Sequence, residues 1–144
     1  MEADWNCTKC NKKFPSIKIS TLTEAVKNAA LGLEHSAEDP DIESIQAHEA
    51  FLDKFGRVLH SNYGILIKVK YNLARINGKM VGFEGDKLSE IRLKRENTLC
   101  EEVLIVLDKI MPTLSSMRGV MLYESHLPCV LLGNRYIKLN LKNL

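Results

Sequence analysis

Apolar residues recur at intervals of three and four positions through most of this chain, which is the spacing of one face of an α-helix. The first such segment is predicted to begin at Thr21, because Thr21 and Glu24 have the spacing of a capping box. A linker over residues 35–38 follows. The second segment is predicted to begin with Asp39 as its N-cap and Pro40 in its first helical position. Its apolar stripe contains Ile42, Ile45, His48, Leu52, Phe55 and Leu59.

A third helix is predicted over residues 63–76. Asn62 is suited to cap its start, and Asn77 followed by Gly78 is a typical helix stop. Residues 77–85 contain three glycines, so a loop is predicted there. The apolar stripe of this helix consists of Ile65, Leu66, Val69, Leu73 and Ile76.

The fourth predicted helix is the longest. It begins at Asp86 or Ser89 and ends at Ile110, because Pro112 cannot continue it. Its broad apolar face contains Leu93, Cys100, Val103, Leu104, Leu107 and Ile110. The charged residues are expected mostly on the opposite face, namely Lys94, Arg95, Glu96, Glu101 and Glu102.

A fifth helix is predicted from about Ser115, and Pro128 is expected to kink or divide it. Residues 129–139 are apolar and compatible with further helix. Residues 136–141, however, alternate between apolar and polar side chains as a strand does. The residues expected to be buried in this helix are Val120, Met121, Leu122 and Leu127.

Helices of this length joined by short loops prefer antiparallel neighbours. The sequence therefore predicts an all-α fold, an antiparallel stack of helix hairpins like that of tetratricopeptide proteins. This helical domain is expected over residues 17–144, after an irregular cysteine-containing segment over residues 1–16. The prediction depends on helix order, because the chain shows no fixed repeat of 34 residues.

The composition narrows the functional classes. Hydrophobic residues make up 45% of the 144 positions and charged residues 26%, which is typical of a globular domain and not of a disordered one. The formal net charge is only +2, so no nucleic-acid partner is indicated. Charged residues interrupt every apolar run well short of the ~18 residues of a membrane helix. With no secretory leader visible either, a cytoplasmic or nuclear protein without disulfides is expected.

Cys7 and Cys10 have the C-x-x-C spacing that lets two thiolates reach one zinc ion. Zinc requires four ligands, and Cys100 and Cys129 are interpreted as small apolar residues on helix faces, where a free cysteine is commonly buried. The pair is therefore predicted to be a partial zinc site. A redox role is less favoured, because no strand precedes the motif and no helix follows it directly.

The remaining polar groups indicate no catalytic centre. His48 lies in an apolar stripe, where a histidine is more often a hydrogen-bonded core residue than a ligand, and His60 is expected at a helix end. No nucleophile with an orienting third group is visible. Residues 115–119 would suit an anion at a helix start, although a simple cap explains them equally. The basic residues near Arg92 are flanked by glutamates and are typical of a solvated face.

Three stretches of the chain resemble the region that follows the catalytic SET domain in Smyd-type (SET-and-MYND) lysine methyltransferases, particularly of the arthropod branch. Residues 5–10, WNCTKC, are similar to the W-x-C-x-x-C of the post-SET zinc site. Residues 55–63, FGRVLHSNY, with the KYNLA that begins at Lys70, are similar to a helix pair of that family. The third stretch runs from Leu99 to His126 and contains LCEEVL, VLDK and RGVMLYESH, which are similar to motifs of that region in the family. Ser61 and Thr113 depart from the family pattern.

The resemblance implies a tetratricopeptide-like domain that packs against a SET core and helps to position protein substrates. The cofactor-binding and lysine-channel elements of that family have no counterpart in these 144 residues, and neither do the remaining zinc ligands. A non-catalytic module that binds a protein or peptide partner is therefore expected, with no cofactor of its own. The alternative is a fragment of an S-adenosylmethionine-dependent protein-lysine methyltransferase that lacks its SET core.

Overall fold

The computed structural model describes residues 4–8, 10–34, 41–79 and 89–142. In those residues the chain is all-α apart from one small hairpin, as the apolar spacing predicts. The elements, in order, are strands β1 (Trp5–Asn6) and β2 (Lys13–Phe14) and helices α1 (Ser16–Glu34), α2 (Ile42–Gly56), α3 (Gly64–Lys79), α4 (Glu90–Ile110) and α5 (Ser116–Leu141).

The N-terminal segment is more regular than its sequence indicates. Strands β1 and β2 pair antiparallel, with Trp5 opposite Phe14. Trp5 also lines a shallow cavity with residues of the first half of α1, among them Ser16 and Thr23. The segment expected to be irregular is therefore a hairpin that lies against the helical stack. The expectation that no strand precedes the C-x-x-C motif is also wrong, because β1 ends at Asn6, directly before Cys7.

Helix α1 begins at Ser16, five residues before the predicted start, so the capping box at Thr21 and Glu24 is wrong. The hydroxyl of Thr21 donates to the carbonyl of Ile17 at 2.7 Å, and that of Thr23 donates to the carbonyl of Ile19 at 2.8 Å. Inside a helix a threonine hydroxyl can donate to the carbonyl four residues earlier. The Thr21 hydroxyl does so and therefore does not act as the N-cap that the sequence predicted.

Helix α2 is capped by Asp41, whose Oδ1 accepts the backbone N–H of Ser44 at 2.7 Å, while Ser44 reaches back to the N–H of Asp41. The cap predicted at Asp39 is therefore wrong. Asp39 and Pro40 themselves lie outside the described residues, as do the linker over residues 35–38 and most of the loop predicted over residues 77–85. In the α2 stripe, Ile42 is exposed, whereas the unpredicted Phe51 is buried.

Helix α3 differs from its prediction at both ends. The carbonyl of Tyr63 accepts the first helical bond, from the N–H of Ile67, so Tyr63 and not Asn62 occupies the N-cap position. The helix continues through Asn77 and Gly78 to Lys79. Gly78 faces a side chain of α5, as described below.

Helices α4 and α5 begin where serine caps predict. Ser89 accepts the N–H of Arg92, and Ser115 accepts the N–H of Arg118. Helix α5 then runs without interruption through Pro128 to Leu141, so Pro128 does not divide it. Residues 136–141, for which helix and strand were both left open, are helical. Within α5, Met121 is buried as expected, but Leu122 and Leu127 are exposed.

Helix α3 occupies the centre of the stack, because it contacts α1, α2, α4 and α5. Side-chain pairs between Asp108 and Arg118 and between Asn97 and Cys129 show that α4 and α5 run antiparallel. The core is continuous across all five helices and includes Val26, Phe51, Leu66, Leu73, Leu99, Val103, Leu107 and Met121. Within the described ranges, no helix has the length and apolar composition needed to cross a bilayer.

Candidate functional site

Cys7 and Cys10 lie in the turn that joins β1 to β2. The N–H of Cys7 donates to the carbonyl of Lys12 at 2.9 Å, and the N–H of Asn11 donates to the carbonyl of Cys7 at 2.8 Å. Asn11 adopts a left-handed backbone conformation, with φ of 53°, which asparagine tolerates better than most residues. These bonds fold the C-x-x-C motif into one tight turn, with Cys10 exposed and Cys7 half-buried.

Two thiolates on one turn are suitable zinc ligands, and zinc takes four ligands in a structural site. In the described part of the chain, no three His, Cys, Asp or Glu side chains are grouped so as to hold a metal. Cys7 and Cys10 could therefore hold zinc only together with ligands from elsewhere. Cys100 is fully buried in α4, as expected, and burial raises its pKa to about 12. Cys129, predicted to be buried, is exposed on α5.

His48 lies in the core and His60 in the connection between α2 and α3. His48 is fully buried, and its Nδ1–H donates to the carbonyl of Ser44 at 2.7 Å. Its Nε2 is buried with no hydrogen-bond partner among the described residues, so the expectation of a satisfied core histidine holds for one nitrogen only. Burial lowers the pKa of His48, which keeps the ring neutral. His60 accepts the N–H of Asn62 in the α2–α3 connection.

A cleft of about 370 Å³ lies between α2, α3 and α4. Its volume is within the range of ligand-binding pockets. Two buried leucines, Leu52 and Leu66, line it together with charged residues of both signs. The acids are Glu49, Asp53 and Glu102, and the bases are Arg57, Lys70 and Arg95.

Two of these bases are held firmly. Arg95 binds Glu49 with two hydrogen bonds, from Nε at 2.9 Å and from a terminal nitrogen at 2.8 Å, and this contact raises the pKa of Arg95. The Nζ of Lys70 lies 2.9 Å from Glu102, and only 14% of the Lys70 side chain is exposed. The third base, Arg57, is mostly exposed, so its pair with Asp53 contributes little.

The charged side chains of the cleft pair with one another. Its acids and bases neutralise one another, and the pairing fixes the positions of the cations. Each of the two inner cations has more donors than its partner carboxylate takes, since an ammonium carries three N–H groups and a guanidinium five. The cleft therefore offers oriented donors, carboxylate acceptors and apolar surface. A polypeptide segment carries the complementary groups, namely carbonyl acceptors, N–H donors and apolar side chains.

Glu96 was predicted on the charged outer face of α4 but is buried, with 2% of its surface exposed. Burial raises its pKa to about 7, and the nearby Glu124 adds to the effect. Leu93, Glu96, Cys100 and Val103 follow one another at spacings of three, four and three, which is the same helical face. That spacing was the available signal, and it was missed because glutamate is almost never fully buried.

Glu124 of α5, the acid that acts on Glu96, is only partly buried. Its carboxylate occupies the space that a Cβ atom at Gly78 of α3 would take, so the glycine permits the contact between the two helices. Burial raises the pKa of Glu124, while Arg75 and Lys79 oppose that shift. Glu124 is thus under the influence of two α3 cations, whereas Arg92 of α4 opposes the rise in the pKa of Glu96.

Comparison of the chain with protein-family models, with curated proteins and with solved structures finds no match. Any functional conclusion therefore depends on the residues and geometry described above.

Proposed function

We propose that this chain is a non-catalytic interaction module that binds a polypeptide segment of a partner protein in the cleft between α2, α3 and α4. The observation that carries the proposal is the pair of inner cations, Lys70 and Arg95, each fixed by a carboxylate beside two buried leucines. The resemblance to the C-terminal region of Smyd-type proteins leads to the same expectation, because that region helps to position protein substrates.

The charge balance of the cleft favours a polypeptide over a nucleic acid. A phosphate backbone needs an excess of cations, whereas here three acids face three bases. A peptide that carries both an acidic and a basic side chain can bind the cations and carboxylates at once. The partner is expected in the cytoplasm or nucleus, in keeping with the sequence-based expectation for this chain.

Selection of short random peptides on the folded chain tests this proposal. Peptides selected by the wild-type chain are expected to bind the Lys70→Ala variant at least about tenfold more weakly, because a half-buried donor is lost. Lys94→Ala is the matched control, since Lys94 lies on α4 outside the cleft, paired with Glu90. Failure to select any peptide, or equal binding to both variants, would contradict the proposal.

A second candidate is a fragment of an S-adenosylmethionine-dependent protein-lysine methyltransferase. It is favoured by the tight C-x-x-C turn, because Cys7 and Cys10 would then supply half of a zinc site whose other ligands belong to a catalytic core. The purified chain alone is expected to bind well under one zinc per molecule and no S-adenosylmethionine. A full equivalent of zinc that survives mild chelation, or a clear calorimetric signal with S-adenosylmethionine, would contradict this reading.

A further inference from the structure

The outer face of α5 carries an exposed, uncharged stripe along nearly its whole length. Residues on this stripe recur at spacings of four, three, four, three, four and four, so they stay on one side of the helix. We call them the α5 stripe: Gly119, Tyr123, His126, Val130, Gly133, Ile137 and Leu141. Its large members are well exposed, with Tyr123 at 78%, Ile137 at 56% and Leu141 at 66%.

The α5 stripe contains no acid, lysine or arginine. The acidic and basic residues Arg118, Glu124, Arg135 and Lys138 fall at other positions around the helix, and His126 is the one titratable nitrogen base on the stripe. The exposed side of α4 is different, because Ile91 and Ile105 alternate there with charged residues such as Lys94 and Glu101. A contiguous exposed face without charge is typical of a surface that another helix covers.

The second half of α5 is less deeply embedded in the fold than the first half. Of the residues in α5 only Met121 and Pro128 are buried, so the thirteen residues from Cys129 to Leu141 contribute none to the core. A helical segment of this length is marginal in water when no packing holds it. From Gly119 to Leu141 the stripe is about 33 Å long at the usual helical rise.

We infer that the α5 stripe pairs with the same stripe of a second copy of this chain, as an antiparallel two-helix contact about a two-fold axis through Val130. In this register Tyr123 faces Ile137 of the second copy, and Gly119 faces Leu141. Gly133 likewise faces Leu127, which borders the stripe and is exposed. Each glycine thus faces a leucine, Tyr123 faces Ile137, and the same patch is used on both copies, as a two-fold interface requires.

The two glycines support the close approach of a second helix. A Cβ atom at Gly119 or Gly133 would meet no other atom within 4 Å, so neither glycine is needed for packing inside this chain. Two faces of this length bury on the order of 1,200 Å², which is at the lower end of specific interfaces. The stripe lines no part of the cleft between α2, α3 and α4, so this inference is independent of the proposed peptide binding.

Sedimentation equilibrium of the full chain tests the inference. At concentrations up to about 100 µM, where an interface of this size is populated, we expect a reversible monomer–dimer equilibrium. Ile137→Glu should weaken dimerisation at least about tenfold. Ile105→Glu is the matched control, because Ile105 has the same 56% exposure on α4 and should leave the dimer intact. Circular dichroism melts establish that each variant is folded.

A cysteine at the proposed axis tests the register. In a background with Cys7, Cys10 and Cys129 replaced by serine, Val130→Cys should form a disulfide between copies under mild oxidation, because the two residues face each other. Ile105→Cys in the same background should not. A chain that stays monomeric, a dimer indifferent to Ile137→Glu, or a Val130→Cys variant that does not cross-link would each overturn the inference. Monomeric behaviour would leave the stripe to a helix of another protein.

Discussion

Glu96 couples the stability of this fold to pH. Its pKa is raised from the ordinary 4.5 to about 7, first by burial and then by the neighbouring Glu124. Below pH 4.5 the acid is protonated in both folded and unfolded chains, and its stabilising contribution is fully present. As the pH rises from 4.5 to 7, the unfolded chain releases the proton first, so stability falls by roughly 3 kcal/mol. Above pH 7 the buried acid is charged.

Glu96→Gln should remove most of this pH dependence. The amide has nearly the same shape but does not ionise, so the variant should match the wild type near pH 4.5 and exceed it by roughly 2–3 kcal/mol at pH 8. Urea unfolding followed by circular dichroism at both pH values measures the difference. Glu101→Gln, at an exposed position of the same helix, is the control. Equal pH profiles for Glu96→Gln and the wild type would contradict the assignment.

The Glu124 carboxylate determines which residues position 78 can accommodate, because it occupies the space of a side chain there. Gly78→Ala gains about 1 kcal/mol of helix propensity but displaces the Glu124 carboxylate, so little net change is expected. In a Glu124→Ala background, the same substitution should stabilise the fold by about 1 kcal/mol. Thermal unfolding of the two single variants and the double variant gives the coupling. Strict additivity of the two substitutions would show that the contact is absent in solution.

Helix boundaries show which elements a sequence specifies locally. Ser115 was predicted as the start of α5, and Ser89 as one of two possible starts of α4. Both could be found from the sequence because a serine hydroxyl that accepts an N–H in the next turn needs no tertiary contact. The start of α1 and the end of α3 were missed, because Thr21 and Gly78 have helical roles that only their neighbours reveal. The conformation of residues 136–141 could not be assigned from the sequence, because their alternation of apolar and polar side chains is typical of a strand although the segment is helical.

Asp41 gives a direct test of the observed cap of α2. Asp41→Ala should destabilise the chain by about 1 kcal/mol, because Ser44 loses the acceptor of its N–H and the partner of its hydroxyl. Asp39→Ala should have a much smaller effect. Chemical denaturation of both variants at neutral pH makes the comparison, and a larger loss for Asp39→Ala would restore the cap predicted from the sequence.

Across the whole molecule, the cleft proposed as a binding site comes from contacts between distant parts of the chain. Glu49 and Arg95 are 46 positions apart, and the cleft exists only because α3 brings α2 and α4 together. Helical spacing predicts each of these helices but not the partner of each charge, so the all-α stack was predictable and the cleft was not. That Cys7 and Cys10 lie close together could be predicted from their spacing, because a single short turn contains both residues.

Amide hydrogen exchange should follow the position of each helix in the stack. Exchange is expected to be slowest in α3 and α4, near Leu73 and Val103, because these helices are covered on several sides. It should be fastest in α5 after Pro128. The Ile137→Glu variant is the appropriate sample, because self-association would otherwise protect that segment. Uniform protection across all five helices would contradict this order of local stability.

The hairpin also determines what an optical experiment on this protein will report. Trp5 is the only tryptophan in the chain, and it lies on β1, 61% exposed, outside the helical core. Its emission will therefore change little when the core melts, and fluorescence alone would misjudge stability. The same position makes Trp5 a built-in reporter two residues from Cys7, so a metal ion or protein that reaches the cysteine turn should alter its emission.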